Sequence, residues 1–142
     1  MDDDKPAVPY SAAADLEAAW QFAGSSLQLL AMLDVVYDWD RGDAVEVGAS
    51  ATQAESLARA MAPVLFGAGL TGIERLLQML DGVVLRGERL ARLAPAQSRD
   101  DASGGAMASA LRRLAAASAE LRSQLAPAQP ELPPQPDPGA GA

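Results

Sequence analysis

The sequence predicts an all-α protein, a small bundle of about four helices with a disordered Pro-rich C-terminal tail. Three observations lead there. Alanine and leucine number 31 and 19, against eight valines and one isoleucine, a balance that suits helices and starves strands. Apolar side chains recur at steps of three and four through several stretches. Proline and glycine fall between those stretches, as they do where helices stop. Of the 142 residues, the Pro-rich end cannot join a core, which leaves about 110 for one ordered domain.

Residues 1–10 read as a flexible N-terminus. Ser11 then offers an N-cap, and Leu16, Trp20, Ala23, Leu27, Leu30, Leu33 and Tyr37 keep to one side of the helix it opens, with Gly24-Ser25-Ser26 as a weak middle. From Asp38 to Ser50 two glycines and four acidic residues predict a solvated loop with a short extended piece at Val45 to Val47. Thr52 and Glu55 have capping-box spacing and open a helix that Pro63 ends. An apolar, Gly-rich hinge follows. Thr71 and Glu74 repeat the box and open a longer helix with Ile73, Leu77, Leu80, Val84, Ala91 and Ala94 on one side, completing a helical core over 11–94. Residues 95–105 read as a linker, 106–125 as a C-terminal amphipathic helix, and 126–142 as the disordered tail.

Composition excludes most chemistry. A net charge of −8, with no Lys/Arg stripe carrying interleaved aromatics, repels a phosphate backbone, so no nucleic-acid partner is expected. The chain has no cysteine and no histidine, which removes disulfides, thiolate and imidazole metal sites and every Ser-His or Cys-His arrangement. The expectation is a non-enzymatic protein without cofactor or metal. Ten arginines to one lysine, with abundant alanine, is the bias of a GC-rich bacterial genome. The acidic start Met1-Asp2-Asp3-Asp4-Lys5 lacks the basic and apolar regions of an export signal, so the expected location is cytoplasmic, or peripheral to the membrane through a complex. The uncharged stretches Ala18 to Leu33 and Ala60 to Ile73 are too short and too interrupted to form a transmembrane segment.

Several motifs need weighing. Gly67-Ala68-Gly69-Leu70-Thr71-Gly72 is a literal GxGxxG ahead of a helix, with Glu88 beyond it, in outline a dinucleotide fingerprint. The would-be strand before it is only Val64-Leu65-Phe66, and few β-branched residues remain for a parallel sheet, so a connection between helices is the better reading. In that hinge Met61, Val64, Leu65, Phe66 and Leu70 could instead contact an apolar ligand or a membrane. Asp38, Asp40, Asp43 and Glu46 lack the glycine position and the closing Glu of a calcium loop. Asp34 and Asp38 do not form an acid/base pair, Arg41-Gly42-Asp43 is a coincidental tripeptide, and the PxxP spacings at Pro127, Pro130 and Pro133 lack a flanking basic residue. Leu29 to Val36 matches Leu76 to Val83 at six of eight positions, each soon followed by Arg-Gly-acid; a duplicated unit would pack the two long helices as equivalents about a pseudo-two-fold.

In the last helix Met107, Leu111, Leu114, Ser118, Leu121 and Leu125 alternate steps of four and three. Such a seam packs on the rest of the chain or docks in trans, and Met107, Leu111, Leu114, Leu121 and Leu125 are the candidate partner-binding residues. On that reading, replacing Leu114 and Leu121 with Asp abolishes association and spares most helical signal.

The segment Leu76 to Ala91, LLQMLDGVVLRGERLA, resembles the leucine-rich helical segment of a bacterial family of small uncharacterised helical proteins encoded beside formate dehydrogenases and related redox enzymes. The likeness covers about 16 residues, or 60 with the upstream copy, and the family's C-terminal signature is not found here. It implies an accessory subunit of an oxidoreductase assembly and carries over no catalytic residue. The expected function is that of an accessory, adaptor or scaffold subunit of a larger bacterial assembly, as a homo-oligomer or in a hetero-complex. The alternative is a carrier or docking module for an apolar small molecule such as a quinone or lipid.

Overall fold

The computed structural model describes residues 7–60 and 73–125, which form four helices: α1 (Ala7–Val35), α2 (Arg41–Ala60), α3 (Ile73–Gln97) and α4 (Asp101–Leu125). The all-α bundle expected from composition is the fold. The Pro-rich tail and the hinge residues Met61, Val64, Leu65, Phe66 and Leu70 lie outside the described residues, as does Gly67 to Gly72. Among the described residues the sole strand-like pairing is an isolated bridge between Trp39 and Ser98.

Cross-helix contacts set the topology. Gly82 faces Leu27 and Arg89 pairs with Asp34, so α1 and α3 run the same way. Gly87 faces Ala115 and Asp81 meets Arg122, so α4 runs against α3. Arg41 and Ala44 share a groove with Ala106 and Ala110, while Ala58 neighbours Ala117, so α2 and α4 are parallel. The helices therefore follow one another around the bundle as α1, α2, α4, α3. α4 packs closely on α2 and α3, and α1 rests on the same two more lightly.

Small residues explain the close packing. α2 buries Ala44, Val47, Ala51, Ala54 and Ala58, a three-four stripe that lets another backbone approach. α4 is buried on three sides: its leucine seam faces the centre, Ala110 and Ala117 turn to α2, and Ala115 turns to α3. A Cβ at Gly87 would sit 3.4 Å from Ala115 Cβ, so anything larger than a methyl group there pushes α3 and α4 apart.

Five expectations need correction. α1 starts at Ala7, so residues 7–10 are helical and Ser11 lies inside the helix rather than at its cap. Asp38 to Ser50 is not a loop, because α2 starts at Arg41 on a reciprocal cap: Asp43 N–H donates to Asp40 Oδ1 and Asp40 N–H to Asp43 Oδ2, both at 3.0 Å. Thr52 and Glu55 therefore start nothing; they sit mid-helix and bind the Arg113 guanidinium. The linker at 95–105 shrinks to Ser98-Arg99-Asp100. Pro95 is tolerated in the last turn of α3, where Ser98 N–H still reaches Ala94 O at 3.0 Å, and Asp100 Oδ1 caps α4 by accepting Ser103 N–H at 2.7 Å. The pseudo-two-fold also fails: Leu29 to Val36 closes α1 whereas Leu76 to Val83 opens α3, and Arg41-Gly42-Asp43 begins a helix whereas Arg86-Gly87-Glu88 lies inside one.

Both caps respond to acid. The backbone N–H of Asp43 holds the Asp40 carboxyl below its ordinary value, and that of Ser103 does the same for Asp100. A depressed folded pKa contributes stability that is complete above the unfolded value of about 4 and is lost as pH falls through the folded value. The double substitution Asp40→Asn and Asp100→Asn keeps an acceptor at each cap. It is expected to flatten the decline of the thermal midpoint below about pH 5, read by circular dichroism across a pH series.

Candidate functional site at the connector end of the bundle

The two described connectors, 36–40 and 98–100, meet at one end of the bundle and are laced together through Trp39. Asp38 adopts a left-handed conformation at φ 67°, uncommon for any residue with a side chain, and this turns the chain sharply after α1. The turn drives Trp39 inward to 1% exposure. Its Nε1–H donates to Leu33 O at 3.2 Å and Val36 O at 2.8 Å, satisfying carbonyls that α1 leaves open at its end. Trp39 N–H donates to Gln97 O at 2.9 Å, and Arg99 N–H returns to Trp39 O at 2.7 Å. Outside this ladder Arg99 Nη2 lies 3.0 Å from Asp38 Oδ2, and that carboxylate holds the guanidinium's pKa above its ordinary value.

Around this rigid clasp three apolar side chains face solvent: Tyr37 at 70%, Val36 at 39% and Leu93 of α3 at 39% exposure. They border a crevice of about 30 Å³ floored by Leu33, Leu90 and Trp39. That space holds no ligand larger than a water molecule, so the arrangement offers a surface rather than a pocket. Elsewhere an open cleft of about 370 Å³ between α2 and α4 has Glu55, Arg59, Glu120 and Gln124 in its walls beside Ala58 and Ala117. Among the described residues no group of three acids is placed to hold a metal ion. Nor is any helix there long and apolar enough to cross a membrane.

The candidate partner-binding residues on α4 are corrected by their burial. Met107, Leu111, Leu114, Leu121 and Leu125 are all at 0% exposure, packed between α2 and α3, and a partner reaches none of them while the bundle is closed. The acids are likewise engaged: Asp34 pairs with Arg89, Asp38 with Arg99, and Asp40 with Asp43 across the α2 cap. Sequence reading passed over Trp39, Arg99 and Leu93 and placed Tyr37 on the buried stripe of α1. The available signal was Asp38-Trp39-Asp40, a large aromatic between two turn-forming acids, where an indole in a connector has to find a buried seat.

Fold and surface together define a compact helical bundle that displays apolar side chains on a braced connector. Compared with protein-family models, curated proteins and solved structures, the chain matches none of them.

Proposed function

We propose that the chain is a non-enzymatic accessory or adaptor subunit that holds a protein partner through Val36, Tyr37 and Leu93. The observation that carries this reading is an exposed tyrosine and valine on a connector whose backbone is tied to the neighbouring one, with the exposed Leu93 of α3 beside them. Aromatic anchors presented at little conformational cost are what protein interfaces use. The oxidoreductase setting implied by the resemblance of Leu76 to Ala91 enters here as a proposal about which assembly to test. The carrier alternative rests on Met61, Val64, Leu65, Phe66 and Leu70, and native mass spectrometry of protein from its source separates the two, since a carrier retains a small ligand and an adaptor retains protein.

Tyr37→Asp with Leu93→Asp places two charges on the surface without touching the core. Quantitative pull-down from the native source is expected to lose the retained partner with this variant and keep it with Arg112→Ala on the far helix, helical signal being equal in both. Equal capture by the two variants moves the contact elsewhere.

A further inference from the structure

α4 packs closely on α2 and α3, whereas α1 rests on the same two helices lightly. Among the described residues α1 buries six, Ala19, Phe22, Ala23, Ser26, Leu30 and Leu33, against twelve on α4. Three of the six are small, so α1 brings few large apolar side chains to the core. Two hydroxyls inside the bundle add to this weakness. Ser26 on α1 and Ser118 in the central seam of α4 are both at 0% exposure, and neither Oγ has a hydrogen-bond partner. A hydroxyl buried without a partner forfeits its hydration for as long as the bundle stays closed, a penalty that alanine at the same position does not carry.

We propose that α1 swings away from the other three helices as a unit while they stay packed, and that this opening uncovers the leucine seam of α4. The helix joins the rest through 36–40, and its carboxyl end is held there: Trp39 Nε1–H donates to Leu33 O and Val36 O, and Arg89 pairs with Asp34 at 3.0 Å. Among the described residues that is the one ion pair α1 makes with another helix, so the clasp is the pivot and the amino end moves furthest. α2, α3 and α4 keep their own ties when α1 leaves. Arg113 holds Glu55 at 2.8 Å, Arg122 holds Asp81 at 2.7 Å, and the contact of Gly87 with Ala115 is untouched. Once α1 is away, water reaches Ser26 and Ser118, and the seam facing the centre, Leu114 and Leu121 included, is open to a partner. The two hydroxyls that weaken the closed bundle therefore favour the open one. This motion concerns the interior and stands independently of the contact made through Val36, Tyr37 and Leu93.

Native-state hydrogen exchange of the full chain, followed residue by residue by nuclear magnetic resonance, checks the motion. Relative to their intrinsic rates, the amides of Phe22 to Leu30 are expected to exchange faster than those of Leu111 to Leu121 by about tenfold or more. Ser26→Ala is expected to slow the α1 amides about tenfold, and Ser118→Ala to slow the same α1 amides by a similar factor although it lies on another helix. Ser25→Ala, exposed and one residue away, makes the same change in helix propensity and is expected to have much less effect. The chain has no cysteine of its own, so Ser118→Cys supplies a lone thiol on the seam. That thiol is expected to react with a small thiol reagent without denaturant, at an opening constant matching the α1 amides rather than those of α4, and about tenfold more slowly once Ser26→Ala is added. Equal protection of α1 and α4, α1 amides indifferent to Ser118→Ala, or equal slowing by Ser25→Ala and Ser26→Ala overturns the proposal, as does a thiol at 118 that reacts only through global unfolding.

Discussion

Trp39→Ala is expected to lower stability by about 3–5 kcal/mol, a large part of the roughly 5–15 kcal/mol available to a domain of this kind. The indole is a wholly buried side chain seated where α1, α3 and both connectors meet. Removing it opens a cavity and strips Leu33 O and Val36 O of the donor they share. The strained turn at Asp38 also loses the burial that holds it in place. Trp39→Phe keeps a six-membered aromatic ring and loses the N–H with the pyrrole half of the indole, so it leaves a smaller cavity than Trp39→Ala, at an expected cost of about 1–3 kcal/mol. Urea unfolding followed by circular dichroism checks both: the midpoint should fall in that order with the slope unchanged. A loss below about 1 kcal/mol for Trp39→Ala would show that the connectors are held by something other than this clasp.

Leu114→Asp is expected to abolish the cooperative fold, and Leu121→Asp to do the same. Each places a carboxylate at 0% exposure between helices that approach closely through alanine and glycine, where neither water nor a cation can reach it. An uncompensated buried charge costs about 3–5 kcal/mol even after relaxation, and this adds to the packing lost with the leucine. Leu114→Ala, which leaves only a cavity, is expected to cost about 2–5 kcal/mol and to stay folded. Far-ultraviolet circular dichroism distinguishes the outcomes. Retained helix with lost association, the result predicted by reading the seam as a docking face, would mean that α4 leaves the bundle readily.

The contrast shows what spacing can and cannot convey. Met107 to Leu125 announces an apolar partner along one helix face, but which surface fills that role is decided by the alanine stripe of α2 and by Gly87 of α3, residues remote in sequence. The long helices were legible because leucines repeat on them over many turns. The start of α2 was not, since Gly42 and Gly48 with four acids look like loop text, and the cap depends on Asp43 standing where Glu or Gln is more usual. Pro95 misled in the same way, a stop signal that acts only upstream of the final turn. The clasp was illegible because its hydrogen bonds join 39 to 97 and 99, a pairing that only the assembled bundle brings about.

The parallel course of α2 and α4 has a consequence for the field around the molecule. Each peptide unit carries a dipole along its helix, so the amino ends of α2 and α4 bring partial positive charge to the connector end side by side, while the carboxyl ends of α1 and α3 bring partial negative charge beside them. An alternating bundle cancels these terms between neighbours; this one sorts them into two halves. Asp40, Asp43, Asp100 and Asp101 gather at the amino ends of α2 and α4 and offset their partial positive charge, whereas the last turns of α1 and α3 carry no basic residue. The carboxyl half is left without that compensation, so the two halves of the connector end differ in how they meet a charged molecule.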